Sequence, residues 1–134
     1  MAFRTANGDA MTRGRGFTLI ELLVVLAIIA TLLTIAVPRY FTSLETSKEA
    51  TLKQNLSVMR EAIDHFYGDT GKYPNSLDDL VRNRYLRALP ADPFTERIDS
   101  WVTQAPPESL PGAVGDVHSG ATGTGKDGTP YATW

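Results

Sequence analysis

Two groups of residues have the types that chemistry requires, and they lie near opposite ends of the chain. Glu21 is the single charged residue of the apolar stretch Phe17–Val37, and a carboxylate in such a stretch normally has a partner or a function because burying it alone is costly. Near the other end, Asp116, His118 and Ser119 are the residue types of a hydrolase triad. In a strand the first two share one face while the serine points away, so no hydrogen bond from base to nucleophile is expected.

The remaining chemistry-bearing residues give no sign of an enzyme. His65 lies among charged and apolar helix residues, where a surface or subunit-contact role is the simplest reading. The sequence has no glycine-rich phosphate loop, no HExxH and no nucleophile elbow. It has no cysteine for a disulfide or a thiolate metal site. The net charge is −2, with scattered rather than clustered Lys and Arg, so no nucleic-acid partner is expected.

The stretch Phe17–Val37 is long enough to cross a membrane. As a helix it extends about 31 Å, close to the thickness of the hydrocarbon core of a bilayer. The arginines Arg4, Arg13 and Arg15 precede it. The positive-inside tendency therefore places the N-terminus in the cytoplasm and sends the chain after Pro38 outward.

Two simple interpretations of this stretch explain only part of it. A secretory signal peptide has an apolar run of about 7–15 residues before a small-residue cleavage site; Thr34 and Ala36 imitate such a site, but this run is longer. A plain single-pass anchor accounts for the apolar composition and the orientation. It leaves Glu21 unexplained.

The sequence RGRGFTLIELLVVLAIIATLLTIAVPRY resembles the class III leader and first helix of type IV pilins and type II secretion pseudopilins. The resemblance implies cleavage by a prepilin peptidase after Gly16 and N-methylation of Phe17. It also implies that Glu21 pairs with the Phe17 amine of a neighbouring subunit during assembly. Physical chemistry supports the pairing, since a buried carboxylate and a buried ammonium neutralise one another. A small residue at Gly16 allows close approach of a protease.

The leader that this resemblance implies covers residues 1–16. A start at Met11 gives MTRGRG, which is short, basic and free of acids, whereas the longer start adds Asp9. We therefore expect Met11 to be the true start.

After the membrane stretch, the pattern predicts that the helix continues over 38–67, with a bend near Pro38. We expect Pro38 to contribute to assembly together with Phe17 and Glu21. The apolar residues recur at spacings of three and four, which indicates a stripe on which an outer domain packs. The stripe is Leu44, Leu52, Leu56, Met59, Ile63 and Phe66, and the charged residues Lys48, Glu49, Lys53, Arg60, Glu61 and Asp64 fill other faces. The helix is expected to run from about Thr18 to Tyr67 and to end near Gly68.

The middle segment YGDTGKYPNSLDDLVRNRYLRALPADPF resembles the G-type major pseudopilin of type II secretion. Ser76 followed by Asp79 predicts a capping-box start for a short helix. Leu77, Leu80 and Val81 of that helix are expected to face the core.

The C-terminal third predicts three short strands: Ile98–Thr103, Ala113–His118 and Tyr131–Trp134. Together they would form a small antiparallel sheet packed on the long N-terminal helix. The predicted fold is therefore α+β and pilin-like, with loops around the sheet.

The segment GAVGDVHSGATGTGKDGTPYATW again resembles the G-type pseudopilins, whose loop commonly binds calcium through aspartates and main-chain carbonyls. Oxygen ligands on a bent loop suit this hard cation. This chain has Thr122 where the family usually has an aspartate, which leaves Asp116 and Asp127 as the calcium candidates. The alternative is a loop held by glycine turns and hydroxyl hydrogen bonds.

These inferences predict a leader at 1–16, a membrane and assembly segment at 17–37 and a periplasmic domain at 38–134. The expected function is that of a major pseudopilin, a subunit that polymerises to drive protein export across the outer membrane. Its expected partners are copies of itself, minor pseudopilins, the prepilin peptidase and the inner-membrane secretion platform. Two alternatives remain: a type IV pilin of a surface filament used in adhesion, motility or DNA uptake, and a monomeric membrane-anchored binding module.

Overall fold

A computed structural model describes residues 16–134, which divide into two compact units, one ending at Tyr40 and the other formed by Phe41–Trp134. The elements follow in the order α1 (Leu19–Thr70), α2 (Leu77–Arg82), β1 (Val102–Gln104), β2 (Asp116–His118) and a 3-10 turn at Tyr131–Thr133. A long N-terminal helix with a small antiparallel sheet confirms the predicted α+β class. The leader to residue 15, including Met11, lies outside the described residues.

The first unit consists of apolar helix with no core of its own. Its large side chains are exposed all round, from Leu19 at 75% to Val37 at 45%. In the described part of the chain, α1 is the one helix whose length and composition would allow it to cross a membrane. The hydroxyls of Thr31 and Thr34 donate to the carbonyls four residues earlier at 2.8 Å. These polar groups are thus satisfied inside the helix, as a hydrocarbon environment requires.

In the second unit, α1 carries the predicted stripe into the core. The buried stripe residues are Leu52, Leu56, Met59, Ala62, Ile63 and Phe66. Leu44, which was expected to belong to the stripe, is 38% exposed. The prediction is wrong at this residue because the buried cluster begins only at Leu52.

The C-terminal end of α1 lies beyond the predicted boundary. The helix passes Gly68 and ends at Thr70. Gly71 has a φ of 71°, the left-handed conformation that glycine adopts without strain. Its N–H donates to the carbonyl of Tyr67 at 2.8 Å. Of the two glycines, the second therefore ends the helix.

Helix α2 begins at the predicted place but is capped differently. Ser76 is the N-cap residue with an extended backbone, yet its side chain makes no capping hydrogen bond. Asp79 Oδ2 instead accepts from the N–H of Asn75 at 3.0 Å. The predicted capping box is not formed because the carboxylate binds one residue earlier than the box requires. Leu77 and Leu80 are buried, as predicted, and Val81, half-buried, packs against the core.

The sheet consists of two short antiparallel strands. Val102 pairs with His118, Thr103 with Val117 and Gln104 with Asp116. Strand β2 lies inside the predicted range, whereas β1 begins at Val102 and not at Ile98.

The late start of β1 has a local cause, since a hydrogen-bonded loop occupies the residues before it. Asp92 N–H donates to the Arg97 carbonyl at 3.0 Å, and Glu96 N–H donates to the Asp92 carbonyl at 2.7 Å. This chain path leaves Ile98 57% exposed, outside the sheet.

The third predicted strand, Tyr131–Trp134, is wrong, because Tyr131–Thr133 forms a 3-10 turn. The Pro130 carbonyl accepts from Thr133 N–H at 3.0 Å and from Thr133 Oγ1 at 2.7 Å. Trp134 N–H donates to the Tyr131 carbonyl at 3.1 Å. These bonds close the segment on itself, while Tyr131 is buried in the core.

Candidate functional site

The predicted cleavage point, between Gly16 and Phe17, is accessible in the structure. A side chain built at Gly16 would meet no atom within 4 Å, and the Phe17 side chain is 86% exposed. Helix α1 begins only at Leu19, so the bond between these two residues lies before the helix. An accessible bond outside a helix is what a protease requires at its cleavage point. Cleavage and N-methylation stay predictions.

Glu21 lies in the first turn of α1, next to a hydrogen bond that the sequence analysis missed. The Glu21 N–H donates to Thr18 Oγ1 at 3.1 Å, and the Leu22 N–H donates to the Thr18 carbonyl at 3.1 Å. This is N-cap geometry, and the pattern T-x-x-E could have revealed it. An acidic residue here also interacts favourably with the positive end of the helix dipole.

The Glu21 carboxylate has no ion-pair partner among residues 16–134. Its neighbours on α1 are exposed apolar side chains such as Ile20, Leu22 and Val25. The arrangement therefore offers one negative group on an otherwise uncharged apolar surface. Such a surface can bind a second apolar helix if that helix brings a positive charge to this level.

Pro38 lies inside α1, close to the end of the first unit. Proline has no N–H, so the helix loses the donor that would otherwise reach the carbonyl of Thr34. Helix α1 nevertheless continues through this position. The predicted bend and an assembly role for Pro38 stay predictions.

The two calcium candidates in the second unit are engaged in different interactions. Asp116 Oδ1 accepts from Arg60 Nε at 2.8 Å and from the Val117 N–H at 2.8 Å. Asp127 Oδ1 accepts from Thr129 Oγ1 at 2.6 Å and from Thr129 N–H at 3.0 Å. The Thr129 hydroxyl and N–H hold the pKa of the Asp127 carboxyl below its usual range.

This donor set does not fit a calcium site. Calcium takes six to eight oxygen ligands, several of them carboxylates. Over residues 16–134 no group of three or more His, Asp or Glu side chains is placed to hold a metal. Thr122, at the position where the family usually has an aspartate, is exposed, and a guanidinium already lies against Asp116. The helical pattern predicts Arg60 on a face other than the apolar stripe. Its neighbours Met59 and Ile63 in the buried stripe were the available signal for its contacts with the core.

The triad-like residues do not form a triad: His118 Nε2 lies 3.5 Å from Asp116 Oδ2, but the serine binds a different carboxylate. Ser119 Oγ is buried and donates to Asp92 Oδ2 at 2.5 Å. The His118 ring lies 2.6 Å from the Trp134 main-chain oxygen through Nδ1 and 3.1 Å from Gln104 Oε1 through Nε2. His65 is exposed, 3.8 Å from Glu61. These contacts connect segments of the fold and provide no base beside a nucleophile.

Comparison with known proteins gives a match to one family model and matches to individual relatives. A family model described as the prokaryotic N-terminal methylation motif matches residues 11–37. The type II secretion system core protein G of Klebsiella pneumoniae is 30% identical over 63% of this chain and 71% of its own length. Its Escherichia coli counterpart is 29% identical over 63% and 70%.

A third relative is the type IV major pilin protein PilA of Myxococcus xanthus, which is 37% identical over 68 residues. That match covers 51% of this chain but only 31% of the pilin. No solved structure matches the chain. The similarity to these two core G proteins thus extends over more of this chain than the similarity to the pilin.

Proposed function

Because the chain belongs to the type IV pilin-like family, we propose that it is a major-type subunit of a type II secretion pseudopilus. Such a subunit polymerises into a short periplasmic fibre that drives protein export across the outer membrane. The length of the matches to core G proteins supports the secretion branch. The observation that carries polymerisation is the single carboxylate of Glu21 on an apolar helix that is exposed on all sides.

The same proposal includes the processing and placement of the chain. The prepilin peptidase cleaves after Gly16, and the new amino terminus on Phe17 is N-methylated. Before assembly, the subunit is inserted in the inner membrane, with its N-terminus in the cytoplasm and its second unit in the periplasm. It is then taken up by the secretion platform, together with minor pseudopilins. The matched methylation motif and the apolar helix support these steps.

The Glu21 carboxylate favours assembly for an electrostatic reason. In an isolated subunit the carboxylate has to stay within reach of headgroups or water, because an unpaired charge in hydrocarbon is costly. In a fibre of staggered helices, the amine of a neighbour's Phe17 meets it between the helices. Opposite charges that neutralise one another in a low dielectric remove most of that cost. The pair forms only between subunits, so it stabilises the polymer and not the isolated subunit.

The experiment replaces Glu21 with leucine in the full-length chain. Insertion and cleavage are expected to continue, because the substitution makes the helix more apolar. The fibre yield is expected to fall by about tenfold or more, the effect of losing about 1.4 kcal/mol at each subunit contact. Immunoblots of sheared fibres measure the yield, and the membrane fraction gives the amount of inserted subunit. The intact mass of the membrane-extracted chain shows whether it starts at an N-methylated Phe17.

Thr18→Val is the matched control, since it removes the helix N-cap and keeps the carboxylate. Its fibre yield is expected to stay near that of the unaltered chain. A normal yield with Glu21→Leu would instead favour the monomeric anchored module. Equal losses in both variants would mean that Glu21 acts through the helix terminus rather than through a partner.

The match to the Myxococcus xanthus pilin favours a second candidate, a subunit of a surface filament. The two candidates differ in where the fibre lies and in what fails without it. Deletion of the chain is expected to abolish protein export if it forms a pseudopilus. Retained export together with loss of surface fibres would establish the pilin role.

A further inference from the structure

We propose that the Arg60 guanidinium takes the place of a divalent cation in the C-terminal part of this chain, so that the second unit folds without calcium. The side chain reaches from α1 to two other segments. Nε donates to Asp116 Oδ1 at 2.8 Å, and a terminal nitrogen donates to the main-chain oxygens of Val117 at 2.9 Å and Trp134 at 2.6 Å. One cation thereby joins the helix, β2 and the segment after the 3-10 turn.

The three acceptors are the kind of ligands that a hard cation prefers. Each is an oxygen, one from a carboxylate and two from the main chain. A guanidinium can bind them together because it is planar, permanently charged and carries five donors with no acceptor. Hydrogen bonds to a charged donor are also stronger than neutral ones. The guanidinium therefore supplies a positive charge and the cross-linking that a bound ion would supply.

The Asp116 carboxylate already interacts with other groups of the chain besides Arg60. His118 Nε2 lies 3.5 Å from Asp116 Oδ2, and the other carboxylate oxygen already accepts from Arg60 and from the Val117 N–H. The main-chain oxygen of Trp134 is in turn shared between Arg60 and His118 Nδ1. Asp116 Oδ1 and the main-chain oxygens of Val117 and Trp134 thus each have a donor from the chain itself.

The other half of the loop is also held by side chains. The Lys126 N–H donates to Glu49 Oε1 at 3.0 Å, and its ammonium donates to the Thr42 carbonyl at 3.1 Å and to the Thr46 hydroxyl. Asp127 turns back onto Thr129. A second cationic side chain therefore fixes this part of the loop to α1, and the second carboxylate is used locally.

The first test measures the thermal midpoint of the full-length protein in detergent, with tryptophan fluorescence as the signal. Both tryptophans, Trp101 and Trp134, lie in the second unit and report its unfolding. Millimolar calcium and, separately, an excess of the chelator EGTA are expected to leave the midpoint unchanged. A ligand that bound only the folded state would raise it by mass action. A midpoint that falls on chelation and recovers with calcium would overturn the proposal.

The second test compares Arg60→Met with Lys53→Met. Both residues lie on α1 beside Trp134, Lys53 with its ammonium 4.7 Å from the ring centroid, but only Arg60 binds Asp116. Arg60→Met is expected to lower the midpoint by about 5–10 °C, and Lys53→Met by much less. Equal shifts in the two variants would contradict the proposal.

A double substitution isolates the charge pair. Asp116→Asn is expected to cost much less in the Arg60→Met background than in the unaltered chain, because the partner of the carboxylate is already absent. Additive effects of the two substitutions would overturn the pairing. If Arg60→Met does not fold at all, the calcium and chelator measurements on the unaltered chain still decide the proposal.

Discussion

Asp92 is the most completely buried charged side chain of the second unit, with no exposed surface. Its carboxylate accepts the Phe94 N–H at 2.8 Å through Oδ1 and the Ser119 hydroxyl at 2.5 Å through Oδ2. The Ser119 hydroxyl in turn accepts from the Ala121 N–H at 3.1 Å. A buried carboxylate is tolerated here because donors from two separate loops satisfy its oxygens. Asp92 thereby joins the loop before β1 to the chain that leaves β2.

Substitution of this residue tests how much that junction stabilises the fold. Asp92→Asn places an amide donor opposite a hydroxyl or an N–H donor, and we expect a loss of about 1–3 kcal/mol in the free energy of unfolding. Denaturant unfolding followed by tryptophan fluorescence measures the loss. Asp99→Asn is the control, because that carboxylate is exposed and pairs with Arg97, two residues earlier in the chain. A loss for Asp92→Asn no greater than for the control would show that the junction does not stabilise the fold.

At the scale of residues, the sequence revealed groups whose neighbours along the chain make them unusual. Glu21 is unusual because twenty apolar or hydroxyl residues surround it, and Gly16 because it stands at a sharp change of composition. The sequence signal for Arg60 was limited to its place beside the buried stripe, and Asp92 gave no such signal, since their partners lie 56 and 27 residues away. Side chains that act through distant contacts cannot be recognised from local spacing.

At the scale of elements, α1 could be predicted because its apolar period persists over many turns. Strands of three residues are too short to show a clear alternation of apolar and polar residues, and their ends depend on the loops that precede them. Tyr131–Trp134 has the composition of a strand, but Pro130 and Thr133 hydrogen-bond locally, and within residues 16–134 no strand pairs with the segment. Tertiary context decides such short segments.

Tyr131, in the 3-10 turn, hydrogen-bonds to Glu49 of α1 and has a raised pKa. Burial, and then a hydrogen bond from its hydroxyl to Glu49 Oε1 at 3.0 Å, raise the pKa of Tyr131 from 10.0 to about 12. The folded state therefore holds this proton more tightly than the unfolded chain does. The resulting stability is fully present below pH 10 and is lost as the pH rises toward about 12.

We expect the thermal midpoint of the full-length protein to fall across this alkaline range. Tyr131→Phe is expected to flatten the fall, since phenylalanine has no proton to lose. Tyr85→Phe serves as the control: hydrogen bonding to Asp69 raises the pKa of the exposed Tyr85 hydroxyl, but Tyr131 stays intact. An alkaline slope that persists in Tyr131→Phe would assign the destabilisation to other groups.

At the scale of the whole molecule, the two units differ in where their apolar side chains lie. The first exposes its large apolar side chains and has its hydrogen bonds inside the helix. The second buries its apolar residues in one cluster that combines the α1 stripe with α2, Trp101, Val117 and Tyr131. The first unit can bury its surface only in a membrane or against other helices, whereas the second has a core of its own.

This division predicts that a chain beginning at Phe41 folds by itself. The buried cluster begins at Leu52, so removal of the first unit takes away no core residue. The new end of α1 is expected to fray over its first turn, which loosens the Lys126 contact with Thr42. Circular dichroism and tryptophan fluorescence are expected to show a soluble, cooperatively unfolding domain with a midpoint close to that of the full-length chain in detergent. Because this chain lacks Glu21 and its apolar neighbours, it is also expected to remain monomeric in analytical ultracentrifugation. Aggregation or non-cooperative unfolding would show that the second unit depends on the first for its stability.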